Sequence, residues 1–420
     1  MKKLVLTLCV LGALVSCSKD DNGPGFVPQP TGRTVIVYMS GENNLSTKVD
    51  LNLSEMKEGS KKLGKDDCLL VYVDKFKSKE KNELPWMARI QNGQVTDSVS
   101  LRDMGISDKD EFASDPQIME DVLKYAVRRY PATQDYGLVL WGHCTGWLIN
   151  NDSIAYTRAF GVDNGNNQVF SVNPKWMNIP TLARVLKKLP HMKFIFADCC
   201  MFMCLESLYE LRSVADYIIG SPAEIPDYGA PYNTVVPALF DRENFATKIV
   251  EEYYAQKNGP NKNLDLPLTV VNMSEMDPLA KATRTVLQAI KGQQTTDYAD
   301  LTNLIYYFYN SHNLSYNPFN NIFYDAGDFI CAKAPAADYK VWKEALDKAI
   351  VKKKYSAHWY TVVEKYWDNL YGNNFTVTEE RQSGVSMYIP QAQKKDNEET
   401  PYIKYQANIK KFAWYYAVWE

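Results

Sequence analysis

The sequence predicts an α/β fold built on a mostly parallel sheet flanked by helices, with a mainly helical C-terminal region. Two observations carry this. Short apolar or β-branched runs recur through the first half of the chain with helix-like stretches between them, and strand-helix-strand order implies right-handed crossovers on a parallel sheet. From about Phe245 the pattern shifts to helices, with Tyr253, Leu279, Val286 and Ile290 among the apolar-face residues.

In order, Thr34–Met39 is a β-branched run that leads through Ser40–Leu45 into a helix from about Thr47 to Lys62. Cys68–Val73 is the second strand, and Trp86–Leu101 alternates like a hairpin around Asn92-Gly93. A helix near Pro116–Arg129 precedes the apolar run Tyr136-Gly-Leu-Val-Leu-Trp-Gly-His143. A polar loop from Asn150 to Asn167 and a helix near Pro180–Leu189 lead to Lys193-Phe-Ile-Phe-Ala-Asp-Cys-Cys200. A helix from Met201 to Leu211 and the strand Tyr217–Gly220 continue the alternation, while Leu268–Val271 and Gly384–Ile389 read as isolated strands.

The first residues are targeting sequence. Lys2 and Lys3 precede an apolar stretch, Leu4–Val15, that is too short to span a bilayer as a mature helix. Leu14-Val-Ser-Cys17 resembles the bacterial lipoprotein box, which makes Cys17 the expected lipidation site; an ordinary signal peptide with an incidental Cys is the alternative. Ser18–Asn22 resembles an acidic export tag, so the expected location is the outer membrane, facing outward. The divisions expected are a signal peptide at 1–16, a Gly/Pro/Asp-rich tether at 17–32, a core at 33–243 and a C-terminal α+β region packed on it at 244–420.

A net charge of −3 with dispersed Lys and Arg gives no electrostatic case for nucleic acid. The 28 Tyr are scattered among apolar neighbours, which favours packing over a carbohydrate platform. Of eight Cys, Cys9 would leave with the signal and Cys17 would carry lipid. Four of the remaining six, Cys144, Cys199, Cys200 and Cys204, cluster around the two runs that end in His143 and Cys200. That is no disulfide framework, and in an exported protein it is an odd place to leave thiols unless one is used.

If those two runs are neighbouring parallel strands, their carboxyl ends open on one edge, where α/β folds place ligand sites. A thiol then lies beside an imidazole that can take its proton, and the start of the following helix would sit close to Cys200 and stabilise thiolate and oxyanion. Strand parity puts Asp198 and Cys200 on one face and Cys199 on the other. A buried Cys and a core His are the plain structural alternative. A metal site from Cys200, Cys204 and His143 lacks the two-pair spacing of structural zinc, so no metal ligand is assigned.

At these residues the chain resembles the clostripain family of cysteine peptidases, relatives of caspases, legumains and gingipains. Tyr38-Met-Ser-Gly-Glu-Asn-Asn-Leu45 and Ser54-Glu-Met56 are similar to the family's opening motifs, and Trp141-Gly-His-Cys-Thr-Gly-Trp147 to its His motif. Asp198-Cys-Cys-Met201, with Glu206 downstream, resembles its Asp-Ala-Cys motif. Ser221–Pro226, Gly229–Tyr232, Asp325–Phe329 and Gly384–Pro390 resemble later motifs, so the likeness runs from about residue 33 to the end.

The resemblance implies a caspase-like fold and a cysteine endopeptidase in which His143 is the base and Cys200 the nucleophile, with the backbone amides of Cys144 and Cys200 as the oxyanion hole. It implies a basic P1 residue, Arg or Lys, held by Asp198, with Asp227 as a further wall residue; a helix-capping role is the structural alternative for Asp198. It also implies activation by self-cleavage between the two strands, for which Arg158 and Lys175 are candidates. The chain departs from the family at Cys144, usually Gly, and at Cys199, usually Ala, which leaves Cys199 as a competing thiol. A catalytically impaired surface lipoprotein that binds basic peptides is the alternative function. No cofactor is required; calcium assists some relatives, but Asp163-Asn-Gly-Asn-Asn167 lacks the acidic count of an EF-hand loop and reads as a plain turn. The expected partners are polypeptide substrates and, through the N-terminal lipid, the membrane, with the chain a monomer or a self-processed two-chain form.

Overall fold

The computed structural model describes residues 27–76, 84–149, 159–165, 174–255, 266–301 except 294–300, 303–307, 323–357, 359, 376–389 and 408–420. Its first half runs β1 (Thr31–Gly41), α1 (Ser46–Ser60), β2 (Asp67–Lys75), β3 (Trp86–Gln91), β4 (Gln94–Ser100), α2 (Pro116–Arg129), β5 (Ala132–Trp141), β6 (Phe160–Asp163), β7 (Lys175–Met177), α3 (Ile179–Leu186), β8 (Met192–Asp198), α4 (Leu205–Leu211) and β9 (Ala215–Gly220). Then follow α5 (Tyr232–Leu239), α6 (Phe245–Tyr254), β10 (Leu268–Asn272), α7 (Met276–Gln293), β11 (Tyr324–Asp325), α8 (Ala326–Lys333), α9 (Ala336–Ala349), β12 (Ile350–Lys354), β13 (Ser386–Met387) and α10 (Ala413–Val418).

Among the described residues nine strands form one sheet in the order β12-β10-β9-β8-β5-β1-β2-β3-β4. The five central strands pair in parallel, and antiparallel strands close both edges. This is the mostly parallel sheet that the alternation predicts. Its faces follow the two-residue period of a strand: Phe194 and Phe196 pack on one side, Ile195, Ala197 and Cys199 on the other. Helices α1, α5 and α6 cover the first face, while α2, α3, α4, α7 and α9 lie on the second. Local signals set several boundaries. Asp115 caps α2 by accepting from the amides of Gln117 and Ile118, with Pro116 in the first turn. Asn92 and Gly93 turn the β3–β4 hairpin with φ of 49° and 81°.

Three expectations are corrected. The helix after Cys200 begins only at Leu205, with Cys204 as its cap, because Met201 adopts a left-handed φ of 53° and the amides of Met201 and Met203 are tied to Ala223 and Ser221. The polar loop after His143 contains β6, whose Phe160–Asp163 backbone pairs with β7. Neither expected isolated strand is isolated: Leu268–Asn272 extends the main sheet beside β9, and Ser386–Met387 pairs with β11, so chain from beyond residue 243 completes the architecture.

Candidate active site

The site is set by one register. β5 and β8 pair in parallel so that Trp141 lies opposite Asp198, and His143 and Cys200 each follow two residues later at the carboxyl edge of the sheet. Gly142 makes the turn possible: at φ 142° a Cβ there would stand 2.9 Å from the Ser40 carbonyl oxygen.

His143 is oriented from the start of α1. Its Nε2 lies 2.7 Å from Asn44 Oδ1, and the turn that presents Asn44 is held by Asn43, whose Nδ2 donates to Val162 O at 2.7 Å. The opening motif contains Asn44, but nothing in its local sequence says that it meets a ring ninety-nine residues away.

Cys200 is partly buried. Its sulfur accepts from Ile225 N–H at 3.4 Å and lies 3.9 Å from Ile225 O. Burial, and then the Glu224 charge, push the thiol above its usual range, opposed by the Ile225 amide. The delayed start of α4 explains why no helix terminus offsets this: four residues separate Cys200 from Leu205.

The Cys at position 144 fits without strain. Cys144 is absent from the residues with left-handed φ, its side chain is buried in the core, and its sulfur accepts from Gly146 N–H at 3.4 Å. It bridges Phe160 through flanking bonds, Gly161 N–H to His143 O at 2.8 Å and Thr145 N–H to Ala159 O at 2.9 Å. In a pair of that type the Cys144 amide points away from the partner strand. Cys199 is fully buried on the opposite face from Asp198, its thiol held well up by burial and by the neighbouring Cys144 thiol. Cys204 donates to Ser207 Oγ at 3.0 Å.

Asp198 is 2% exposed. Its Oδ2 accepts from Ala230 N–H at 3.0 Å and Tyr232 Oη at 2.8 Å, and its Oδ1 from Tyr253 Oη at 3.1 Å. Burial raises its pKa against those bonds. Gly229 closes over it at φ 65°, where a Cβ would come within 2.7 Å of Asp198 Oδ2. Beside it Asn52 accepts from Trp141 Nε1 at 2.8 Å and donates to Glu55 Oε2 at 3.1 Å and Tyr228 O at 2.8 Å. Asp227 is exposed and pairs with Lys48 at 3.0 Å. Lys175 opens β7 with its ammonium 4.2 Å from the Phe112 ring centre. Arg158 and Cys17 lie outside the described residues.

One cluster escaped the sequence. Glu42, Asp74 and Asp163 are buried with carboxylate oxygens within 4.8 Å of one another. Asp163 does make a turn, accepting from Gly165 N–H at 2.9 Å, but its other oxygen and Asp74 share Ala113 N–H. Three carboxylates are the donor type that a hard cation such as calcium prefers, so these residues could hold one. They come from the ends of β1, β2 and β6 and leave no common sequence signal.

A thiol and an imidazole at the carboxyl edge of a parallel sheet are the arrangement expected of an α/β cysteine peptidase. The comparisons agree: the sequence profile of the clostripain family matches residues 37–420, and the chain belongs to that family. It is similar to a secreted C11 cysteine protease from Bacteroides thetaiotaomicron in complex with an irreversible peptide inhibitor, at 29% identity and TM-score 0.69 over 93% of this chain and 100% of that one. It is also similar to an inactive zymogen C11 protease from Parabacteroides distasonis, at 27% identity and TM-score 0.71 over 93% and 99% of the two chains. A search of curated proteins finds no match. The caspase-like fold and the cysteine peptidase class follow, with polypeptides as substrates. No helix among the described residues is long and apolar enough to cross a membrane.

Proposed function

We propose that this clostripain-family peptidase cleaves after Arg or Lys through a His143–Cys200 dyad. The observation that carries the reading is the β5–β8 register, which brings both residues to one edge with Asp198 on the nucleophile's own strand. With Nε2 engaged by Asn44, Nδ1 is the ring nitrogen that takes the thiol proton. The thiol, pushed up by burial, gives that proton to His143 as it attacks. The sulfur bonds to the scissile carbonyl carbon, and the oxyanion is met by the amides of Cys144 and Cys200. The imidazolium protonates the departing amine, and water then hydrolyses the thioester.

Asp198 supports the basic P1 preference as a carboxyl group beside Cys200 whose three donors, Ala230 N–H and the Tyr232 and Tyr253 hydroxyls, are all neutral rather than cations of the protein. Asp227 stands further out, already paired with Lys48. Self-cleavage after Arg158 or Lys175 is the proposed activation, and the similarity to a protein captured as an inactive zymogen supports a processing step. Lipid on Cys17 would hold the enzyme at the outer surface of the outer membrane as a monomer or processed two-chain form.

Hydrolysis of Arg-, Lys- and Asp-terminated fluorogenic peptides tests the reading. Activity is expected on the first two, lost in Cys200→Ala and kept in Cys199→Ala. Turnover that survives Cys200→Ala would sink the dyad, and a basic preference that survives Asp198→Ala would sink the pocket assignment. A band shift absent from Cys200→Ala would mark self-processing. Binding of basic peptides without turnover would favour the impaired lipoprotein.

A further inference from the structure

The loop that follows Cys200 is held from two sides. On one, Met201 N–H donates to Ala223 O at 2.8 Å and Met203 N–H to Ser221 O at 3.1 Å, which tie it to the chain leaving β9. On the other lies β13, whose Ser386 N–H donates to Met203 O at 2.9 Å and whose Ser386 forms a parallel bridge with Cys204. The loop needs such support. Met201, directly after the nucleophile, has a Cβ and sits at φ 53°, a conformation that persists where the surroundings over-determine it.

The remaining tie is made by a side chain. Glu206 Oε1 accepts from Tyr388 N–H at 2.7 Å, reaching from the first turn of α4 to the chain just past β13. Glu206 is fully buried, and its other oxygen has no hydrogen-bond partner among the described residues. A neutral side chain could accept one amide at a lower desolvation cost, so this carboxyl is an expensive feature for packing alone. β13 is itself anchored in the C-terminal region: Tyr324 and Asp325 pair with Met387 and Ser386, and Asp325 Oδ2 accepts from Ser383 N–H at 2.8 Å and Tyr307 Oη at 2.6 Å. The chain Asp325, β13, Glu206 and Met203 therefore runs from the C-terminal region to the nucleophile loop.

We propose that Glu206 is a positioning residue: by holding the Tyr388 amide it clamps β13 against residues 201–206 and fixes the Cys200 amide and thiol, so that the C-terminal region completes the catalytic site. The inference rests on Cys200 being the nucleophile. Misplacing a reacting group by about 1 Å costs on the order of a hundredfold in rate, so loosening this loop acts on kcat while leaving P1 recognition in place.

The test uses the full mature chain. Glu206→Leu removes the acceptor, whereas Glu206→Gln keeps a carbonyl for Tyr388 N–H. With an Arg-terminated fluorogenic peptide, Glu206→Leu is expected to lower kcat by about ten- to a hundredfold with KM within about twofold, and Glu206→Gln to restore kcat to within about threefold of the wild type. If the Leu variant does not fold, Glu206→Asp, which withdraws the oxygen by one methylene, replaces it with the same expectation. Wild-type kcat in a folded Leu or Asp variant overturns the clamp. So does a loss that falls wholly on KM, or one that Gln fails to rescue. Turnover that persists in Cys200→Ala overturns the nucleophile assignment and this proposal with it, whereas a silent Leu variant of a Cys200-dependent enzyme removes the clamp alone.

Discussion

Replacing Glu206 by Gln changes the pH dependence of stability in a way that can be worked out from its surroundings. Burial pushes the Glu206 carboxyl up from 4.5 to about 7, opposed mainly by the Tyr388 amide. Between those two values the folded protein holds a proton that the unfolded chain has released, so stability falls as pH rises through the window and is lowest above it. At about 1.4 kcal/mol for each pH unit, the gap corresponds to about 3 kcal/mol of stability present at pH 4.5 and lost by pH 8. Gln does not titrate. Burying its amide NH2 adds a cost of about 1–3 kcal/mol that shifts the whole curve but leaves its slope unchanged. The assay is urea unfolding followed by tryptophan fluorescence at pH 5, 6, 7 and 8, with buried Trp147 and Trp414 as reporters. The quantity of interest is the wild-type minus variant free energy, in which the other raised carboxyls, Asp325 at about 6 among them, cancel. It should fall by about 2–3 kcal/mol from pH 5 to 8. Curves that run parallel across that range would refute the reasoning.

Three further outcomes follow from the site. Asn44→Ala removes the group 2.7 Å from His143 Nε2 and should lower kcat by about ten- to a hundredfold, with little change in KM for an Arg-terminated peptide; an unchanged kcat would show that the ring is held by other means. Gly229→Ala places a Cβ 2.7 Å from Asp198 Oδ2 at φ 65°, so a loss of about 1–2 kcal/mol in urea unfolding and a weakened preference for Arg and Lys are expected, with neutral P1 peptides as the control. Glu224→Gln removes the second cause of the raised Cys200 thiol, after burial, so iodoacetamide should alkylate Cys200 faster at pH 7.5; an equal or slower rate contradicts that electrostatic role.

How far the sequence could be read differs from element to element. The β5 and β8 runs were legible because a central parallel strand is buried on both faces and becomes a continuous apolar run, and α2 because an Asp-Pro start and a helical period agree. The β6 strand was not, since four residues between polar neighbours carry too little pattern. The start of α4 was misplaced because residues 201–204 are compatible with a helix locally, and only bonds to Ser221, Ala223 and Ser386 hold them out of one. Asn44 and Glu206 lay within recognised motifs, yet their partners are set by contacts across the fold.

By itself, then, the sequence determined the sheet type and the family and singled out His143 and Cys200 as candidates, because strand period, apolar runs and motif order are local properties of a chain. Only the tertiary structure decided what surrounds them: a Cys200 thiol pushed up by burial and a nearby carboxylate, a Cys144 turned into the core, an Asp198 enclosed by neutral donors, and a loop after Cys200 held by chain nearly two hundred residues away. Those are relations between distant segments. Their energies depend on burial and distance, which arise only when the sheet closes and its edges meet.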